Sequence, residues 1–126
     1  MRLLLDSHVA LWSLMDSERL GPLARAAILD AEAAIVSVVT PWELGIKRSI
    51  GKLDFPDGMV ESLAACGYAM LPIAVMHSVE APRLPLHHRD PFDRMLIAQA
   101  RLEGLTIMTV DDQLGAYDVD VMDASS

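Results

Sequence analysis

Short apolar runs alternate along the chain with stretches of helical spacing. "RLLL" (2–5) reads as a first strand, and "AIVSVV" (34–39), rich in β-branched residues, as a second. Between them "PLARAAILDAEA" (22–33) has helical spacing, with Gly21 and Pro22 at its start. A helix runs from Thr40 towards Ile50 and stops at Gly51; another spans 57–67 and stops at Gly67, ahead of a third strand around 68–73. A shorter helix near "VMHSVEAP" and the loop "RLPLHHR" lead to a helix from Pro91 to Glu103, closed by Gly104. "LTIMTV" (105–110) is a fourth strand and "VDVM" (119–122) a fifth. Strands separated by helices of this length need crossover connections, so the expected fold is α/β, a mostly parallel sheet of four to five strands covered on both faces. Such sheets place their sites beyond the carboxyl ends of the strands, and polar residues there define the search.

Length and composition narrow the class. The 126 residues suit one domain, 1–126, with a core of its own. No uncharged apolar run reaches the roughly 18 to 20 residues of a membrane span, and "MRLLLDSH" meets an acid too early for a secretory leader, so a soluble, cytoplasmic protein is expected. The single cysteine, Cys66, has no partner for a disulfide or a thiolate metal site, and buried packing is its expected task. A net charge of −8 argues against a nucleic-acid partner until its distribution is considered. Seven of the ten cations, Lys47, Arg48, Lys52, Arg83, Arg89, Arg94 and Arg101, lie close in sequence to one of two related quartets, "TPWE" (40–43) and "DPFD" (90–93).

Each quartet has a capping residue, a proline, an aromatic and an acid. As helix starts, Thr40 and Asp90 are N-caps, Pro41 and Pro91 take the first helical position, and Glu43 and Asp93 sit at the third, near the positive end of the dipole. Their placement also carries chemistry. Asp6 ends the first strand and Asp111 the fourth; Glu43 opens the helix leaving the second strand, and Asp93 opens the helix that feeds the fourth. All four acids therefore reach the carboxyl edge of one sheet. Helix N-termini stabilise each anion by only about 0.3 to 1 kcal/mol, while like charges sharing a site raise one pKa strongly. A divalent cation supplies the missing positive charge, and an all-oxygen set favours Mg²⁺ or Mn²⁺ over zinc. Such an ion commonly handles phosphate groups, which points to phosphodiester hydrolysis by metal-activated water.

Taken singly, each residue has an ordinary reading. Asp6 alone is a turn acid, and Asp111 or Asp112 caps a short turn, with the inward member of that pair left open. Asp90 and Thr40 read as caps, Asp90 with a supporting place at the site; Ser7 and Thr109 are hydroxyls beside acids. His87 and His88 read as loop residues, His8 follows the first strand, and no H-x-x-x-H pair exists for zinc. Trp12 and Trp42 suit a core or an interface. The chain has no G-x-G-x-x-G, Walker A or G-x-S-x-G sequence.

The segments "LLLDSHVALW", "SVVTPWELGIKRSIGKL", "HHRDPFDRMLIAQA" and "TIMTVDD" resemble, in order and spacing, the PIN-domain ribonucleases, specifically the VapC-type toxins of bacterial toxin–antitoxin pairs. The resemblance spans nearly the whole chain. It implies a three-layer α/β sandwich, an acidic cluster holding Mg²⁺ or Mn²⁺, and cleavage of RNA. By motif, Asp6, Glu43 and Asp93 match the family's three principal acids and Asp111 the more variable fourth. It implies, too, a cognate antitoxin, a homodimer, and an RNA groove in which Lys47, Arg48, Arg89 and Arg94 meet phosphates. A serine follows the first acid where threonine is commoner, which retains the hydroxyl. The rival expectation is a non-catalytic domain whose acidic edge recognises a basic peptide or protein.

Overall fold

A computed structural model describes residues 1–126. Five strands, β1 (Arg2–Leu5), β2 (Ala33–Ser37), β3 (Ala69–Leu71), β4 (Thr106–Thr109) and β5 (Val121–Asp123), form one sheet in the order β3-β2-β1-β4-β5. Every neighbouring pair is parallel. The helices are α1 (Ser7–Leu14), α2 (Pro22–Asp30), α3 (Val39–Ser49), α4 (Met59–Ala65), α5 (Val75–Glu80) and α6 (Pro91–Glu103). Single 3-10 turns, Ala81–Arg83 and Asp112–Ala116, follow α5 and β4. No helix is long and apolar enough to cross a membrane.

Helices cover both faces of the sheet, giving the expected sandwich, and β1 shows the consequence in its sequence. Leu3 and Leu5 join Val9, Leu44, Leu63 and Met108 in one apolar cluster, while Leu4 points the other way, among Ile35, Leu96, Ile97 and Ile107. All three leucines are fully buried. Successive strand residues face opposite sides, so a strand buried on both sides reads as an unbroken apolar run rather than an alternating one.

Differences from the expected elements have local causes. Helix α1 escaped the sequence pattern because "VALW" is a continuous apolar run with no helical periodicity, and the helix is packed between the sheet, α3 and α4. Helix α2 ends at Asp30, where Ala31 turns to extended backbone. Helix α3 begins at Val39, one residue before the expected cap. The Val38 N–H donates to Leu71 O at 3.0 Å, and the Val39 N–H to Ser37 Oγ at 3.1 Å. The chain thus turns directly from β2 into α3, and Thr40 lies inside the helix instead of capping it. Cys66, expected inside, is exposed: it terminates α4 and is followed by Gly67 at φ 89°, a left-handed turn that ends the helix at the surface before the chain returns to the core at Tyr68. Trp42 is also outside the core, 60% exposed, with its ring edge-on to Phe92 at 5.1 Å.

Double-sided burial of β1 leads to a stability prediction. Leu4→Ala and Leu5→Ala, on opposite faces, each cost about 2 to 5 kcal/mol, measured by urea unfolding. A strand with one wet face would lose stability at only one of the two positions.

Candidate active site

The strand order places a topological switch between β1 and β4, where the chain leaves one half of the sheet for the other. Asp6 follows β1 and Asp111 lies two residues beyond β4, so both acids flank this crevice. Their local roles are alike. Asp6 caps α1, its Oδ1 accepting the Val9 N–H at 2.9 Å, and Asp111 caps the turn after β4, its Oδ1 accepting the Gln113 N–H at 2.9 Å. The second Asp6 oxygen accepts the Thr109 hydroxyl at 2.5 Å, and the Asp111 N–H donates to that same hydroxyl oxygen at 3.0 Å. Thr109 thereby ties the two strand ends together. Asp112 is exposed, so Asp111 is the member of the pair that faces the crevice.

Glu43 and Asp93 arrive from opposite faces of the sheet. Glu43 is buried one turn inside α3; Ser7 Oγ donates to its Oε1 at 2.7 Å and Lys47 Nζ to its Oε2 at 2.7 Å. Ser7 also meets Thr40 Oγ1 at 3.1 Å, so the first quartet works through hydroxyl contacts in place of a cap box. The second quartet has the expected geometry: Asp90 caps α6, its Oδ1 accepting the Phe92 and Asp93 N–H groups at 2.8 and 3.1 Å.

His88, read from sequence as a loop residue, reaches the acids. Its Nε2 lies 2.8 Å from Asp93 Oδ2 and donates to Asp111 Oδ2 at 3.1 Å. His88, Asp93 and Asp111 offer atoms within 4.8 Å of one another, a spacing compatible with a shared metal ion. Sequence offered one clue, since His88 precedes the α6 cap by two residues, but its approach to Asp111 is made only by folding.

The electrostatics register the crowding. Burial, opposed by the Thr109 and Val9 hydrogen bonds and reinforced by Glu43, raises the Asp6 pKa. Burial, then the charges of Asp90, Glu43 and Asp6, push Asp93 up to about 7, against the opposing influence of His88. Asp93 thus feels both Asp6 and Glu43, although they stand on other elements. The carboxylates share one deficit of positive charge, and Asp93 Oδ1 has no hydrogen-bond donor in the protein.

Of the four cations expected to meet phosphate, three are otherwise engaged. Lys47 pairs with Glu43. Arg48 pairs with Asp57 at 2.9 Å, donates to Phe55 O at 3.0 Å and lies over the Phe55 ring. Arg94 is buried, and its guanidinium donates to the carbonyls of Ala81, Pro82, Leu84, Pro85 and His88, with Tyr117 Oη at 3.4 Å. It is a clamp for the 81–88 loop rather than a phosphate contact, because a guanidinium has five N–H donors and a tight loop directs many carbonyls inward. Arg89 remains exposed and unpaired.

A family model described as PIN domain matches residues 3–120. The chain belongs to the PIN-domain family. Ribonuclease VapC22 of Mycobacterium tuberculosis (strain ATCC 25618 / H37Rv) is 27% identical to it over 117 residues, 90% of each chain. In fold it is similar to VapBC2 from Rickettsia felis, crystallised bound to a DNA fragment from its promoter, with TM-score 0.71 and 11% identity over 97% of this chain and 98% of that one. FitAcB from Neisseria gonorrhoeae gives TM-score 0.64 and 19% identity over 97% of each chain. At these identities the two structures bear on fold alone. In this PIN domain the acids occupy the switch point, where an open parallel sheet leaves room for a ligand.

Two outcomes follow. Arg94→Met removes the guanidinium donors from five loop carbonyls and lowers stability by on the order of 2 to 4 kcal/mol in urea unfolding; an exposed phosphate-binding arginine would change it by within about 0.5 kcal/mol. The second concerns pH. With its folded pKa raised to about 7, Asp93 binds more protons folded than unfolded between the ordinary carboxylate pKa and about 7. Stability of the metal-free protein therefore falls as pH rises through that window. Asp93→Asn flattens this part of the profile, as read from thermal midpoints between about pH 4 and 8.

Proposed function

We propose that this chain is a divalent-metal-dependent endoribonuclease, the toxin of a toxin–antitoxin pair, with residues 1–126 forming one nuclease domain. The observation that carries the reading is the convergence of Asp6, Glu43, Asp93 and Asp111 on the β1/β4 crevice with a charge deficit that the surrounding donors leave unfilled. The donor set fits a hard cation, since carboxylate oxygens dominate it and Asp93 Oδ1 is free to bind. Mg²⁺ or Mn²⁺ supplies charge neutralisation at the phosphate and activation of the attacking water. Asp6, Glu43, Asp93 and Asp111 hold the ion, directly or through water. Ser7 and Thr109 orient the Glu43 and Asp6 carboxylates through their hydroxyls, and Asp90 fixes the first turn of α6 and so the position of Asp93.

RNA as substrate is supported by membership of the PIN-domain family and by likeness to a relative named a ribonuclease. Arg89, exposed beside the α6 cap, is the cation free to meet a phosphate, and a cytoplasmic location accompanies this role. An antitoxin partner is supported by fold neighbours crystallised as VapBC-type assemblies. A cleft of about 320 Å³ between α1 and the segment entering α4, lined by Leu11, Leu14, Met15, Phe55 and Met59, offers such a partner apolar surface. A homodimer would cover part of the exposed apolar face of α5, with Val75, Met76 and Val79.

One observation favours the rival, an acidic edge that binds a basic partner: Asp6, Asp90 and Asp111 all do ordinary capping work. The readings differ at Asp93, which caps no helix: burial and neighbouring acids make Asp93→Asn stabilising in the metal-free protein on either reading, but only on the nuclease reading does it also abolish cleavage. With Mn²⁺ the wild-type chain, purified free of any partner, gains several degrees in thermal midpoint and cuts RNA to 5′-phosphate and 3′-hydroxyl ends. Asp6→Asn and Glu43→Gln lose both effects. Metal binding with every RNA left intact would sink the catalytic claim, and no thermal gain in wild type would favour the binding domain.

A further inference from the structure

His88 lies outside the acid set and outside any helix, yet it is the most heavily fixed residue of its loop. Its N–H donates to Tyr117 Oη at 2.8 Å, and its carbonyl accepts from Arg94 Nη1 at 3.1 Å. Tyr117 Oη in turn donates to Pro85 O at 2.7 Å, and Arg94 holds the rest of the 81–88 loop from the other side. Both clamping residues are buried. A loop whose only duty was to connect α5 to α6 would not need its final residues held from α6 and from the segment before β5 together.

The ring is fixed as well. The Asp90 N–H points at Nδ1 across 3.4 Å, which leaves the ring proton on Nε2, the nitrogen that faces the acids. From there the N–H donates to Asp111 Oδ2, while the same nitrogen stands 2.8 Å from Asp93 Oδ2. With Asp111 Oδ1 held by Gln113, one oxygen of Asp93 is left without a donor. We infer that His88 is a positioning residue of the metal centre: its Nε2–H holds the Oδ2 atoms of Asp93 and Asp111 together, turning Asp93 Oδ1 towards the ion, and Arg94 and Tyr117 set it in place through the 81–88 loop. The imidazole does this as a hydrogen-bond donor, without adding a ligand. Ligating carboxylates elsewhere depend on such outer hydrogen bonds, whose loss weakens metal affinity roughly 10- to 100-fold.

This inference rests on the metal-dependent reading of the acid cluster, and its test separates the two. Mn²⁺ is titrated into the full chain, free of partners, and unbound ion is read by its electron spin resonance. His88→Gln and His88→Leu are compared because the side chains are similar in size but only glutamine keeps an N–H donor. The leucine variant loses about 10- to 100-fold in Mn²⁺ affinity and the glutamine variant recovers most of it. Tyr117→Phe, which touches neither acid, weakens Mn²⁺ binding in the same direction. Thermal midpoints without metal control for folding, since a loop that merely lost stability would not distinguish glutamine from leucine in affinity. Equal affinity in the glutamine and leucine variants overturns the inference and leaves the carboxylate site standing. A directly bonded imidazole nitrogen in the spin-echo spectrum of the Mn²⁺-loaded wild type overturns it too, by making His88 a ligand. If the wild type takes up no Mn²⁺, the nuclease reading fails and this inference with it.

Discussion

Carboxylates repel one another, and gathering them at a sheltered sheet edge sets the condition that the surrounding structure must meet. Each acid here is met by donors from a different element. Asp6 is met by an α1 amide and a β4 hydroxyl, Glu43 by an α1 hydroxyl and an α3 lysine, and Asp111 by a turn amide and the loop histidine. The compensation is incomplete, and the remainder falls on Asp93, where burial and three neighbouring acids combine. A site poised in this way favours a cation over an empty crevice, because one divalent ion relieves several unfavourable interactions together.

The same constraint explains where the cations go. A chain with net charge −8 has few positive groups available for a phosphate-binding face, and the structure uses two of the nearest internally. Lys47 neutralises Glu43, and Arg94 organises a loop that would otherwise bury bare carbonyls. On the nuclease reading, affinity for a polyanion would rest mainly on a metal ion and on few side chains, of which Arg89 stands free at the α6 entrance.

Much of the architecture could be read from the chain because local rules sufficed. The β1 run of three leucines, the stop at Gly104 and the Asp90-Pro91 start of α6 depend on neighbours within a few residues, and α6 spans the residues expected of it. The edge shared by the four acids was legible for the same reason: strand ends and helix starts in a parallel α/β sheet have only one place to meet. The equivalence of the two quartets was not. "TPWE" and "DPFD" share a pattern, but with Val38 hydrogen-bonded to β3 the α3 N-cap falls at Val38, two residues before Thr40, and no local signal carries that information.

By itself, then, the sequence determined the α/β class and the gathering of acids at the carboxyl edge, since these follow from periodicity and helix-terminus chemistry. Only the tertiary structure decided that Arg94 faces inward, that Trp42 and Cys66 face solvent, and that His88 sits between Asp93 and Asp111. Those outcomes depend on which surfaces meet across the β1/β4 crevice and beneath the 81–88 loop. His88 and Asp111 lie 23 residues apart and Thr109 and Asp6 103 apart, distances across which no pattern in the chain acts until the sheet has closed.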